Sequence, residues 1–211
     1  GLVTARWQRR NFLLETKSGN AIRVELAEGD LPATGSMVTV VGAPETDLYH
    51  LNLSRATWKQ ANIRAWIQPR PEPVTARDLL FDEQGQRKFK PRQQGKLFRL
   101  TGTIRSMPPI DDPSARLLLN SDGNLIPVDI SNGLEVLGHL QVECRVSVTG
   151  VCVLDIQNWS PNTVFPRIEG LSLVIRSPSD ITVLARPPWW TPARLLVVIG
   201  SLLAVLIGIL I

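Results

Sequence analysis

The chain has 211 residues, which allows one or two domains. Its formal net charge of +4 and pI near 9.5 are mildly basic, and the basic residues are scattered along the chain. An ordinary solvated surface explains such a charge, and nucleic-acid binding is the alternative interpretation. The two cysteines, Cys144 and Cys152, would lie about 26 Å apart along one extended strand, which excludes a disulfide and predicts two separate buried thiols.

Most of the chain reads as β structure, and one pattern occurs in it twice. Short runs rich in Val, Ile, Leu and Thr alternate with turn residues, without long helical periodicity. The stretch LLETKSGNAIRVEL at 13–26 aligns, 104 positions later, with LLLNSDGNLIPVDI at 117–130. Each copy predicts a strand, a tight turn at Gly-Asn, and a second strand with alternate apolar residues on one face.

The repeat continues in the same order beyond these hairpins. Residues 38–42 correspond to 146–150, and residues 51–53 correspond to 171–173. Five strands in about 75 residues favour a small closed barrel, because closure removes exposed strand edges. The predicted fold class is therefore mainly β, with two tandem five-stranded OB-like barrels; a β-sandwich over the same strands is the alternative.

The repeat also sets the predicted domain boundaries. They are a first OB-like module at 1–68, a proline-rich and polar linker at 69–94, and a second OB-like module at 95–186. The second module has an additional run at 96–100 without a counterpart in the first, so we expect the first module to be truncated at its start. In the linker, residues 74–80 predict a short helix capped by Thr75, followed by a polar, solvated excursion.

Candidate binding residues follow from the way such barrels take ligands, on strands two and three and between the flanking loops. In the first module Trp7 lies beside Arg9 and Arg10, an arrangement suited to stacking nucleic-acid bases or to contact with acidic lipid headgroups. In the second module the loops are 106–113 and 155–167. The candidates there are Arg105, Asp111, Asp112, Trp159 and Arg167, with a plug at the barrel end as the alternative role of Trp159.

The sequence carries no convincing catalytic or metal-binding motif. His50 and His139 lie in different modules, and neither has a Cys, Asp or Glu at metal-ligand spacing. Walker, dinucleotide, G-x-S-x-G and HExxH patterns are missing. We therefore predict no enzyme activity, cofactor or metal within these residues, which leaves binding as the expected role.

The carboxyl end predicts one transmembrane helix at 193–211, ARLLVVIGSLLAVLIGILI. Nineteen helical residues span about 28 Å, close to the hydrocarbon thickness of a bilayer. A membrane-interface junction at 187–192 precedes the helix. It places Trp189 and Trp190 at headgroup depth, and Arg194 is the only charge of the span.

Small residues lie on one face of this predicted helix. Gly200, Ala204 and Gly208 are spaced four apart, a ridge suited to close helix pairing and hence to a homodimer. Because no basic residue follows the apolar run, we also expect the chain to continue beyond Ile211.

Four motifs in tandem order carry a resemblance to a known family. They are T-G-T-I-R-S at 101–106, L-L-x-x-x-x-G-N-x-I-x-V at 117–128, V-x-V-x-G-V-C at 146–152, and the exit P-P-W-W-T-P-A-R-L-L at 187–196. Together they resemble the periplasmic sensor regions of bacterial transmembrane histidine kinases and diguanylate cyclases built from tandem OB-like repeats. The resemblance implies β modules in the periplasm, an inner-membrane helix, and a small ligand or periplasmic protein as partner.

The predicted function follows from the membrane helix and this resemblance. The chain would be the extracytoplasmic sensory region of a membrane-bound signal transduction protein, a two-component histidine kinase or a diguanylate cyclase, whose catalytic part lies elsewhere. Ligand binding would pass a conformational change through the helix. The alternatives are a membrane-anchored scaffold that binds other proteins and a membrane-tethered OB-fold that binds single-stranded nucleic acid.

Overall fold

A computed structural model gives the fold of this chain. It describes residues 1–46, 49–62, 70–83, 86–109, 115–156, 168–187 and 195–201. The described chain is mainly β, as its sequence predicts, with fourteen strands arranged in two larger sheets and one separate hairpin.

The first module forms a five-stranded sheet. Its strands are β1 (Leu2–Trp7), β2 (Asn11–Glu15), β3 (Ala21–Leu26), β4 (Val38–Thr46) and β5 (Leu51–Gln60). Their order is β1-β2-β3-β5-β4, with β3 and β5 parallel and the other neighbours antiparallel. In the described chain β1 meets the start of β4 through one bridge, Leu2 to Met37, and flanking backbone hydrogen bonds such as Val38 N to Gly1 O at 2.9 Å.

The second module contains a closed five-stranded barrel. Its strands are β9 (Leu97–Ser106), β10 (Arg116–Ser121), β11 (Asn124–Asp129), β12 (Arg145–Ile156) and β13 (Ile168–Val174). The order β9-β10-β11-β13-β12 returns to β9 through seven antiparallel residue pairs, from Leu97 with Val151 to Thr103 with Arg145. With β11 and β13 parallel, this is the strand order of an OB-fold, and the predicted closure is confirmed for this module.

The internal repeat is reproduced in the register of the parallel strands. Val24 pairs with Leu53 in the first module, and Val128 pairs with Leu173 in the second. These are the positions that the sequence repeat aligns. The predicted turn is displaced by one residue in the second module, because the left-handed residues are Asp122 and Gly123 and Asn124 already begins β11.

The predicted linker is more structured than its composition suggests. It contains β6 (Glu72–Val74), α1 (Ala76–Leu79), β7 (Leu80–Glu83), β8 (Gln86–Phe89) and a 3₁₀ turn at Pro91–Gln93. Thr75 caps α1 as predicted, because its hydroxyl accepts from Asp78 N while the Asp78 carboxylate accepts from Thr75 N. β6 pairs in parallel with β9, and Ala76 and Leu79 of α1 are buried in the core of the second module. β6 and α1 therefore pack as part of that module, whereas β7 and β8 form the separate hairpin.

Both cysteines are buried and unpaired in the core of the second module, which confirms the prediction of separate thiols. Cys152 lies within β12 and Cys144 directly precedes it. Burial, with a smaller contribution from the charge of Asp155, raises the pKa of the Cys152 thiol, so it behaves as an inert apolar side chain.

A last strand leads from the barrel towards the carboxyl end. β14 (Ile181–Ala185) pairs with residues 145–148 of β12, on the edge opposite β9. Residues 195–201 are helical, whereas 188–194 and 202–211 lie outside the described residues. Within the described ranges, no helix is both long enough and apolar enough to cross a membrane.

Candidate functional site between the two modules

The two modules pack against each other through the outer walls of their sheets. Because alternate strand residues face opposite sides, Phe12 and Leu14 fill the core of the first module while Leu13 points outward. On the second module, Val151 and Val153 point outward from β12 in the same way. The resulting cluster, here called the docking interface, consists of Ala5, Trp7, Leu13, Leu97, Val151, Val153 and Val174, each at most 4 % exposed.

Trp7 belongs to this docking interface and not to an open binding surface. Its side chain is 4 % exposed, and the Arg23 guanidinium carbon lies 5.6 Å from the centroid of its ring. The ring therefore presents no open face to a nucleic-acid base, in contrast to the expectation from its sequence neighbours. Arg9 and Arg10 are exposed at the turn that follows, where Arg9 adopts a positive φ of 58°.

Asn132 clamps the first module to the second. Its side-chain oxygen accepts a hydrogen bond from Arg6 Nε at 3.0 Å, and its amide nitrogen donates to Arg6 O at 2.7 Å and to Ile175 O at 2.9 Å. Both amide hydrogens and the carbonyl are thus used in one partly buried contact. This role is difficult to predict from the sequence, because Ser-Asn-Gly after a strand is typical of an ordinary turn.

Residues 91–96, here called the connector, lead into β9 and lie along β12. Gly95 N donates to Cys152 O at 2.8 Å, Cys152 N donates to Lys96 O at 2.8 Å, and Leu154 N donates to the side-chain oxygen of Gln94 at 2.7 Å. Gly95 has a φ of +78°, and a Cβ at this position would lie 2.1 Å from the Ala21 Cβ. Only glycine satisfies both the backbone conformation and the close approach of the first module.

A groove of about 560 Å³ opens where the first module faces the connector. One wall is the turn between β2 and β3, in which Ser18 Oγ lies 2.9 Å from Thr16 Oγ1 and 3.2 Å from the amide nitrogen of Asn20. The opposite wall includes Arg92 and Gln94 of the connector. We call this cavity the junction groove. It is completed by Tyr49, His50 and Leu51 around the start of β5, and His50 Nε2 lies 3.0 Å from Pro91 O.

Glu15 is the last residue of β2 and directly precedes Thr16, which lines the junction groove. Its Oε2 is buried and has no hydrogen-bond partner among the described residues. Loss of hydration raises the pKa of this carboxyl. A charged carboxylate at this position therefore opposes the packing around it.

The structure describes only some of the other predicted site residues. Arg105 forms an exposed ion pair with Glu143, and Gly200 lies on the exposed helical stretch 195–201. Neither residue belongs to the docking interface. The remaining candidates lie outside the described residues: Asp111, Asp112, Trp159, Arg167, Trp189, Trp190, Arg194, Ala204 and Gly208.

The chemistry of the interface and the groove is that of packing and hydrogen bonding. In the part of the chain that the structure describes, no three His, Cys, Asp or Glu side chains are placed to hold a metal ion. The groups that converge are hydroxyls, amides, a guanidinium and aromatic rings, which bind ligands by hydrogen bonds and ring contacts.

Comparison with known proteins was made at the level of families and of individual sequences. No family model and no curated protein matches the chain.

Proposed function

We propose that this chain is the extracytoplasmic sensory region of a membrane-bound signal transduction protein, a two-component histidine kinase or a diguanylate cyclase. The observation that supports this function is the central position of β12. This one strand contacts the first module, holds the connector and pairs with β14, the strand that leads to the carboxyl end.

Different residues of β12 contact the first module, the connector and β14, which supports a coupling role. Val151 and Val153 face the first module, whereas Cys152 and Leu154 face the barrel core and bind the connector through their backbones. Residues 145–148 pair with β14 on the opposite edge from β9. A shift of the first module against the second acts on β12, and through its hydrogen bonds it reaches β14.

The exit from the barrel is suited to transmit such a shift. β14 ends at Ala185, and the junction after it contains Pro187, Pro188 and Pro192, whose fixed φ angles stiffen the chain. In this proposal residues 193–211 cross the inner membrane and pair through Gly200, Ala204 and Gly208 in a homodimer. Signalling is then a population shift between two arrangements of the modules.

Membrane topology tests the extracytoplasmic placement. Glu28→Cys puts a thiol at an exposed position of the first module, and the native Cys144 and Cys152 are buried and give little background. A membrane-impermeant maleimide should label Glu28→Cys in intact cells with a permeabilised outer membrane, and the unsubstituted chain should stay unlabelled. Labelling that requires lysis of the inner membrane would contradict the proposal.

The coding sequence after Ile211 tests the signalling role itself. We expect a helical dimerisation segment followed by a histidine kinase or diguanylate cyclase domain. A stop codon directly after Ile211 would instead favour the membrane-anchored scaffold.

A further inference from the structure

The junction groove has the size and position of a small-molecule site. Its volume of about 560 Å³ lies within the range of roughly 300–1,000 Å³ typical of ligand pockets. One wall comes from the first module and the other from the connector that is bonded to β12. A molecule bound here would touch both parts that move in the proposed signalling step.

The lining chemistry specifies the class of ligand. Hydroxyls and amides from Thr16, Ser18, Asn20 and Gln94 offer hydrogen bonds to a hydroxylated molecule. Among the lining residues that the structure describes, Arg92 is the one arginine or lysine, and no aspartate or glutamate occurs. An apolar ligand would cover these polar groups without offering them any further hydrogen bond, and a ligand with several negative charges would meet a single guanidinium.

We propose that the junction groove binds a small polyhydroxylated molecule with one carboxylate, such as a sugar acid. The carboxylate pairs with Arg92, and the hydroxyls bond to the polar turn between β2 and β3. The ring of Tyr49, at the groove, offers an apolar face to the carbon skeleton.

Binding at this position would stabilise the docked arrangement of the modules. The ligand bridges the turn of the first module and Arg92, while the side-chain oxygen of Gln94, two residues later, accepts a hydrogen bond from the Leu154 N–H of β12. This regulatory consequence rests on the sensory function proposed above, whereas the binding itself does not. A binding measurement therefore fails or succeeds independently of any signalling output.

Calorimetry on the full chain in lipid nanodiscs tests the groove. D-galacturonate, D-glucuronate and D-gluconate are the probes, D-galactose is the comparison without charge, and cyclohexanecarboxylate is the comparison without hydroxyls. At least one of the three acids should bind, and both comparison compounds should bind at least about tenfold more weakly, since each lacks one set of bonds.

A pair of matched variants locates the binding. Arg92→Gln should weaken the bound acid about 10- to 100-fold, because a charge-assisted hydrogen bond is lost. Arg77→Gln removes the same charge from an exposed position on α1, outside the groove, and should leave the affinity unchanged. The assignment is overturned if none of the three acids binds in the millimolar range, or if the two variants weaken binding equally.

Discussion

Asn132 of the second module and Arg6 of the first are hydrogen-bonded in both directions. The Arg6 Nε donates to the Asn132 side-chain oxygen at 3.0 Å, and the Asn132 amide donates back to Arg6 O at 2.7 Å. The same amide also donates to Ile175 O at the end of β13. One side chain thereby fixes the position of β1 relative to the second module.

Removing this clamp should destabilise the docked arrangement. Asn132→Ala leaves Arg6 O, Ile175 O and Arg6 Nε without these partners, and we expect a loss of about 1–3 kcal/mol in the free energy of unfolding. Urea denaturation of the full chain in detergent measures the change.

Asn124→Ala is the matched control for this clamp. The Asn124 amide donates to Asp122 O on an exposed turn, so its loss should change the free energy of unfolding by no more than about 0.5 kcal/mol. Equal losses in the two variants would show that Asn132 acts as an ordinary turn residue.

The close approach of Gly95 to Ala21 makes a second prediction. Gly95→Ala should separate the modules, because its Cβ would lie 2.1 Å from the Ala21 Cβ. Hydrogen exchange at the outward residues of β1 and at Leu97 should become faster. Adding Ala21→Gly removes the clashing methyl group and should restore part of the protection, since residues in contact couple in a double-mutant cycle.

Gly19→Ala is the control that distinguishes the effect of the steric clash from the effect of backbone strain. Gly19 has a φ of +79°, close to the +78° of Gly95, but nothing lies within 4 Å of its Cβ position. Both variants therefore carry the same penalty for a positive φ. If Gly19→Ala raised exchange at the docking interface as much as Gly95→Ala, the steric explanation would fail.

The raised pKa of Glu15 predicts that the free energy of unfolding depends on pH. Because burial raises the pKa of its carboxyl in the folded chain, the folded state binds this proton more tightly than the unfolded state. The contribution of Glu15 to stability is therefore present at low pH and is lost as the pH rises through the raised pKa. At neutral pH, Glu15→Gln should resist urea better than the unsubstituted chain.

The advantage of Glu15→Gln should shrink as the pH falls from neutral through that raised pKa. Glu25→Gln, at an exposed position of β3, is the control for the loss of a carboxylate. A Glu15→Gln chain that is less stable at neutral pH would indicate that the carboxylate has a favourable partner.

The sequence predicts the elements within each module well, because they depend on local patterns. The repeat aligns Val24 with Val128, and both residues occupy the same register against the parallel strand. The cap at Thr75 depends on neighbouring residues and is confirmed for the same reason. The pairing of β6 with β9 is missed, because Pro71 and Pro73 argue against a strand, although an edge strand tolerates proline.

The docking of the modules could have been predicted from one signal in the sequence. The runs Phe12-Leu13-Leu14 and Val151-Cys152-Val153-Leu154 are apolar at successive positions, which predicts strands buried on both faces. The core of each module uses only one face of these strands, so the other face requires a partner. Which surfaces meet, and the part that Asn132 takes in the contact, depend on tertiary geometry that no local pattern encodes.

Coupling of the docked modules to the carboxyl helix is tested most directly by an insertion in the full-length protein. The basal output is measured with and without Gly95→Ala, first in the native chain and then with a flexible Gly-Ser insert between Pro187 and Pro192. The same insert after the exposed Gly29 is the control. We predict that Gly95→Ala changes the output in the native and control chains and has no effect once the junction is flexible. An unchanged effect of Gly95→Ala across the flexible junction, or no effect in the native chain, would contradict transmission through β12 and β14.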